Sequence, residues 1–78
     1  MLKEIRMPDV GTNVDEIRII RWLKQPGDVV KRGEVLVEVE TDKATMEVES
    51  YLAGVLDKIE AGEDTVVVTG ETIAYIEG

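Results

Sequence analysis

Seventeen carboxylates against nine Lys and Arg give this 78-residue chain a net charge of −8, which disfavours nucleic acid, anionic membranes and acidic partner surfaces, since each calls for a cationic face. With no His, no Cys and one Ser, Ser50, no Ser-His or Cys-His nucleophile, disulfide or ordinary zinc site can be assembled. The length suits one small domain over residues 1–78, and with no Phe and a single Trp the core must come from Val, Ile, Leu and Met, a bias that favours sheet over helix.

Leu2 to Met7 alternates with Ile5 and Met7 on one side, which predicts a first strand, and Pro8 ends its pairing. The segment Asp9 to Asp15 reads as a loop by composition. Glu16 to Lys24 carries adjacent apolar pairs, Ile19-Ile20 and Trp22-Leu23, which predict a strand with a bulge or with burial on both faces. Pro26-Gly27-Asp28 is a turn whose glycine can take a left-handed angle, Val29-Val30 a short strand, and Lys31-Arg32-Gly33-Glu34 the next turn.

From Val35 to Glu49 two runs of apolar/polar alternation flank a polar tip. They predict a hairpin closed around Asp42-Lys43, with Val39 opposite Met46, Val37 opposite Val48, and Glu38 opposite Glu47 on a water-screened outer face. The tip is not an Asn-Gly or Asp-Gly pair, so a common turn with right-handed angles is expected there. Lys43 is then an exposed amine on a rigid turn. A strand over Val55 to Ile59, a turn at Glu60 to Asp64, a short strand Val66 to Val68, a turn containing Gly70 and a last strand Thr72 to Glu77 complete the chain. Glu60, Glu63 and Asp64 lack calcium-loop spacing and read as a solvated turn. The glycines are scattered singly, with no phosphate loop, so no catalysis is expected of this chain alone.

Val29 to Glu40 matches Val66 to Glu77, placing Val on Val, Gly33 on Gly70 and Glu34 on Glu71. Two halves of short alternating strands would bury their inner faces as two sheets, with pseudo-two-fold symmetry. The expected fold is all-β, a flattened barrel or sandwich of two four-stranded antiparallel sheets. In such symmetry the counterpart of the tip falls at the chain ends, so Lys43 and the termini should lie at opposite poles.

The run Glu40-Thr41-Asp42-Lys43-Ala44-Thr45-Met46-Glu47-Val48-Glu49, with Gly27-Asp28 before it and Gly54 after it, resembles the lipoyl domain of 2-oxo acid dehydrogenase acyltransferases. The resemblance extends from Met7-Pro8-Asp9-Val10-Gly11 to Ile73-Ala74-Tyr75-Ile76, and is greatest to the pyruvate-specific acetyltransferase. It implies that lipoate is joined by an amide to Lys43. It further implies that Glu40, Asp42, Ala44 and Gly54 help a lipoate ligase or lipoyl transferase recognise the domain. Plain turn geometry serves equally as a reading of Gly54 and of Gly27, and Gly33 and Gly70 are read as structural turns. Glu40 reads equally well as an outward strand residue.

The implied partners are a thiamine-diphosphate-dependent decarboxylase, the acyltransferase core and dihydrolipoyl dehydrogenase, in bacterial cytoplasm or mitochondrial matrix. The loop residues Val10, Gly11, Thr12, Asn13 and Val14 are the expected reader surface for the decarboxylase, with Val10 and Val14 as exposed apolar contacts. Departures from the family pattern fall at Ile17, where a small residue is frequent, and at a compressed Glu60-to-Val66 turn. Two competing readings are a biotin carrier, whose family places Met on both sides of the lysine, and a structural module with a bland surface lysine. No apolar run is long enough to cross a bilayer and no signal leader is present, so an unprocessed, soluble and monomeric domain is expected, with neither metal nor membrane partner.

Overall fold

The computed structural model of the chain describes residues 1–10 and 16–78. Eight strands follow in chain order: β1 (Leu2–Arg6), β2 (Ile17–Trp22), β3 (Val29–Val30), β4 (Val35–Glu40), β5 (Thr45–Glu49), β6 (Gly54–Ile59), β7 (Val66–Val67) and β8 (Thr72–Glu77). They form two four-stranded antiparallel sheets, ordered β1-β8-β6-β3 and β5-β4-β2-β7. No helix occurs among the described residues.

The two sheets are not the two halves of the sequence. β3 leaves the first half to pair with β6, and β7 leaves the second half to pair with β2. The turn before β3 drives this crossing, because Gly27 N–H donates to the Leu56 carbonyl at 2.7 Å and Leu56 N–H donates to the Asp28 carbonyl at 2.9 Å. Each half thus lends a two-residue edge strand to the other sheet, and the interlock closes a core that neither half encloses alone.

The pairing repeats at the interval between Ile17 and Gly54, the first residues of β2 and β6. Arg18↔Glu40 and Ile19↔Val39 correspond to Val55↔Glu77 and Leu56↔Ile76, and each ladder shifts register at the same point, skipping Ile20 and Asp57. Corresponding turns use corresponding devices. In Lys31–Glu34 and in Val68–Glu71 the fourth residue donates its N–H to the first carbonyl, the third is a glycine with φ of 88° or 91°, and the glutamate carboxylate accepts from the first N–H. This is the type II pattern, which requires a positive φ at the third position. The same pattern holds Gln25–Asp28, with Gly27 at φ 98°. Its counterpart Gly62–Thr65 puts Asp64 there at φ 66°. The Glu60-to-Val66 turn therefore equals its partner within the chain in length.

Ile5, Met7, Ile17, Ile19, Trp22, Val30, Leu36, Val37, Val39, Val48, Leu56, Val67, Ile73 and Ile76 fill the space between the sheets. Ile17, where a small residue was expected by resemblance, is fully buried. Trp22 donates its indole N–H to the Ala61 carbonyl at 2.7 Å, tying β2 to the turn after β6. Three details differ from the alternation read in the sequence. Leu36 is inward together with Val37, because a register shift between Val35 and Val37 turns both side chains to the core. β6 begins at Gly54 rather than Val55. β7 ends at Val67, since Val68 N–H and carbonyl are both spent on the turn to Glu71 and its side chain is exposed.

Candidate functional site

The hairpin of β4 and β5 has the register Val37↔Val48, Glu38↔Glu47, Val39↔Met46 and Glu40↔Thr45, which leaves Thr41-Asp42-Lys43-Ala44 as the tip. Val37, Val39 and Val48 are buried and Met46 packs on the core, so the apolar face anchors the hairpin and fixes its register. The opposite face is acidic, but water alone does not screen it. Arg21 Nε meets Glu38 Oε1 at 3.0 Å, and Arg18 reaches Glu40 Oε1 at 2.9 Å and Asp64 Oδ1 at 3.1 Å. Both arginines come from β2, which neighbours β4 on the side away from β5. Glu40, expected to face a ligase, is therefore half-exposed and already paired with Arg18 at the base of the tip.

Asp42, Lys43 and Ala44 are exposed, and no ion pair engages the Lys43 amine among the described residues. Neither Asp42 nor Lys43 has a positive φ, so the tip is not a mirror-image hairpin turn. Thr41 holds it instead. Thr41 N–H donates to the Ala44 carbonyl at 2.9 Å. The Thr41 hydroxyl oxygen accepts from the N–H groups of Lys43 and Ala44 at 3.2 Å each, and its O–H lies 3.2 Å from the Ala44 carbonyl. The side chain takes the acceptor role that a backbone carbonyl plays in an ordinary turn. Only 8% of Thr41 is exposed. Sequence reasoning passed over this residue, and the one available signal was a threonine immediately before a two-residue tip that lacks glycine.

Gly54 is not at the tip. The five residues of β5 lead away from it, and the next segment reaches the chain ends, where Gly54 pairs with Val30 and abuts β8. A Cβ on Gly54 would collide with the Glu77 carbonyl oxygen and come within 2.6 Å of Ile76 Cγ2. The glycine is thus demanded by close approach of two strands. The termini meet at this same pole, with the Met1 ammonium 2.9 Å from Glu77 Oε1. Of the expected reader loop, Gly11, Thr12, Asn13 and Val14 lie outside the described residues. Val10 is not the exposed contact expected from its loop setting, since it is partly buried and packs against the core. β1, from which this loop departs, pairs with β8 rather than with the hairpin.

A two-stranded turn that presents one unpaired primary amine, on a backbone fixed from within, suits attachment of a long prosthetic arm. The family described as biotin-requiring enzyme, the biotin/lipoyl attachment domain, matches residues 3–76. The chain belongs to this family. Within it, the chain is 33% identical to the lipoyl domain of the 2-oxoglutarate dehydrogenase complex of Azotobacter vinelandii in its solution structure, with a TM-score of 0.74 over 96% of this chain and 95% of that one. It is 49% identical over 74 residues to the dihydrolipoyllysine-residue acetyltransferase component of the pyruvate dehydrogenase complex of Mycobacterium bovis. It is 43% identical over 75 residues to the dihydrolipoyllysine-residue succinyltransferase component of the 2-oxoglutarate dehydrogenase complex of Staphylococcus saprophyticus. Those alignments take in 95% and 96% of this chain but only 13% and 18% of the relatives' lengths. Lipoyl domains of this family hold lipoate covalently on a lysine. The residues present fit that group: an accessible amine on a defined turn.

Proposed function

We propose that Lys43 is the lipoyl attachment site and that the chain serves as the swinging-arm carrier domain of a 2-oxo acid dehydrogenase complex of the pyruvate type. The observation that carries this reading is Lys43 at the tip of a hairpin whose backbone is fixed by Thr41 and whose amine has no ion-pair partner among the described residues. The run Thr41-Asp42-Lys43-Ala44-Thr45-Met46-Glu47-Val48-Glu49 supports the pyruvate assignment by resemblance to the acetyltransferase, and relatives of both the pyruvate and the 2-oxoglutarate complexes are similar to this chain. When bound, lipoate supplies a dithiolane that accepts and releases acyl groups.

The domain's own residues present and orient the arm. The hairpin lifts Lys43 off the sandwich, so that a ligase, a thiamine-diphosphate-dependent decarboxylase, an acyltransferase core and a flavin dehydrogenase can each reach the same atom. The lysine stem adds reach at low ordering cost because it is not packed against the body. Attachment converts an ammonium to an amide, and the loss of one positive charge takes the net charge from −8 to −9. With the termini at the other pole, a tethered domain would point its working group away from its anchor. The setting that goes with this role is bacterial cytoplasm or mitochondrial matrix.

The lipoylated domain, offered at subsaturating concentration to a pyruvate decarboxylase component and to its 2-oxoglutarate counterpart, tests the assignment. Acylation by the first at least about tenfold faster than by the second, a difference of about 1.4 kcal/mol in transition-state binding, is the expected result. The reverse preference would assign the domain to the 2-oxoglutarate complex. Biotinylation in place of lipoylation would assign it to the carboxylases.

A further inference from the structure

We propose that the Thr41 hydroxyl is a positioning group for modification, holding the tip in the conformation from which Lys43 enters the ligase. This deepens the attachment reading and rests on it. The tip contains neither Gly nor Pro, so neither a freely available positive φ nor a ring-fixed φ sets its turn. Among the described residues β5 is an edge strand, paired only with β4. Apart from the bonds of the Thr41 hydroxyl, the tip backbone has, among the described residues, one closing hydrogen bond, from Thr41 N–H to the Ala44 carbonyl. The remaining order comes from one hydroxyl that accepts two N–H groups and faces a carbonyl. That hydroxyl lies nearly buried beneath three exposed residues, one of them the lysine.

The step served is amide formation. The Lys43 amine, having given its proton to solvent or to a ligase base, attacks the carbonyl carbon of a ligase-bound lipoyl adenylate. A C–N bond forms, the acyl–oxygen bond to phosphate breaks, AMP leaves with that electron pair, and the second nitrogen proton is lost as the amide forms. Thr41 touches none of the reacting atoms. Its effect is on the fraction of tips already in the accepted geometry, and apparent affinity falls in proportion to that fraction. Loss of the hydroxyl should therefore raise KM for the domain and leave kcat almost unchanged. The N–H groups it releases belong to two exposed residues and their bonds are only partly buried, so water can replace the hydroxyl and global stability should change little.

The test compares wild type, Thr41→Val, which keeps the methyl packing, and Thr41→Ser, which keeps the hydroxyl. The ligase is saturated with lipoate and ATP, and amide hydrogen exchange is followed at Asp42, Lys43 and Ala44. Thr41→Val should raise KM about fivefold to tenfold with kcat within about twofold, following the competent fraction, while Thr41→Ser stays near wild type. In wild type the Lys43 and Ala44 amides should exchange more slowly than that of Asp42, and in Thr41→Val this protection should be lost. Unchanged KM in Thr41→Val, equal damage in both variants, a fall in kcat alone, or no protection of the two amides in wild type would each overturn the proposal. Modification that persists in Lys43→Arg, or a wild-type chain that is never modified, would overturn the attachment reading instead.

Discussion

At single residues, the structure separates side chains that serve the tip from those that serve the sandwich. Gly54 belongs to the second group: a methyl group there meets the Glu77 carbonyl oxygen and Ile76 Cγ2, backbone and core with little room to yield. Gly54→Ala should destabilise the domain by about 1–3 kcal/mol, the usual cost of forcing atoms into a packed region, which lowers Tm by about 4 °C or more in a domain of this size. Lipoylation of the folded fraction should stay at the wild-type rate. A variant that melts like wild type but is poorly lipoylated would show that a ligase reads this glycine directly. Thr41 belongs to the first group. Its role was not legible in the sequence because a threonine before Asp-Lys reads like any solvated turn residue, and only the folded hairpin reveals that its hydroxyl is turned inward.

Among the elements, the turns carry as much of the design as the strands. Glu34 caps the turn into β4: its carboxylate accepts from Lys31 N–H at 2.9 Å and pairs with Lys24 Nζ at 2.8 Å. The Lys24 bond first, and then the Lys31 N–H, hold the Glu34 carboxyl below its ordinary value, while Glu60, bonded to Lys58, holds that ammonium above its own. A lowered carboxyl contributes stability that is complete above its unfolded pKa, about 4.3, and is lost as pH falls through the depressed folded value. A raised lysine contributes below its unfolded pKa, about 10.4, and loses that contribution as pH rises through the folded value. Thermal melts of wild type and Glu34→Gln should therefore differ at pH 6 and converge toward pH 3. Curves separated by the same amount at both pH values would deny the Glu34 cap its charge dependence. Both groups are at the surface, so added salt should shrink the effect.

Strand positions were largely legible because period-two alternation follows from burial of one face. What alternation could not reveal is where an extra residue enters a ladder. The adjacent pair Ile19-Ile20 signalled either a bulge or burial on both faces, and a register shift is found there, but Leu36-Val37 looked like part of a regular alternation and proved to hold a second one. The end of β7 was missed for another reason. Val68 has a strand former's side chain, yet its backbone groups belong to the turn that Gly70 and Glu71 impose.

For the molecule as a whole, the internal repeat made two facing sheets and their pseudo-symmetry readable in the sequence, since Gly33-Glu34 and Gly70-Glu71 mark equivalent turns. The interlock was not readable. β3 and β7 are two residues long, and which sheet each joins depends on hydrogen bonds made by the preceding turn across the molecule. Symmetry then gives the functional layout: one pole is closed by the β4–β5 hairpin, while the other holds the termini, Gly54 and the Met1–Glu77 ion pair. The molecule is 33 Å long and 19 Å across. The claim on which this layout turns is that Lys43, alone among the lysines, carries the arm. Peptide mass mapping after exposure to a lipoate ligase, lipoate and ATP measures it directly. The account predicts the mass of one lipoyl group on the peptide containing Lys43 and none on those containing Lys3, Lys24, Lys31 or Lys58, whereas modification at any of those four, or at none, would contradict it.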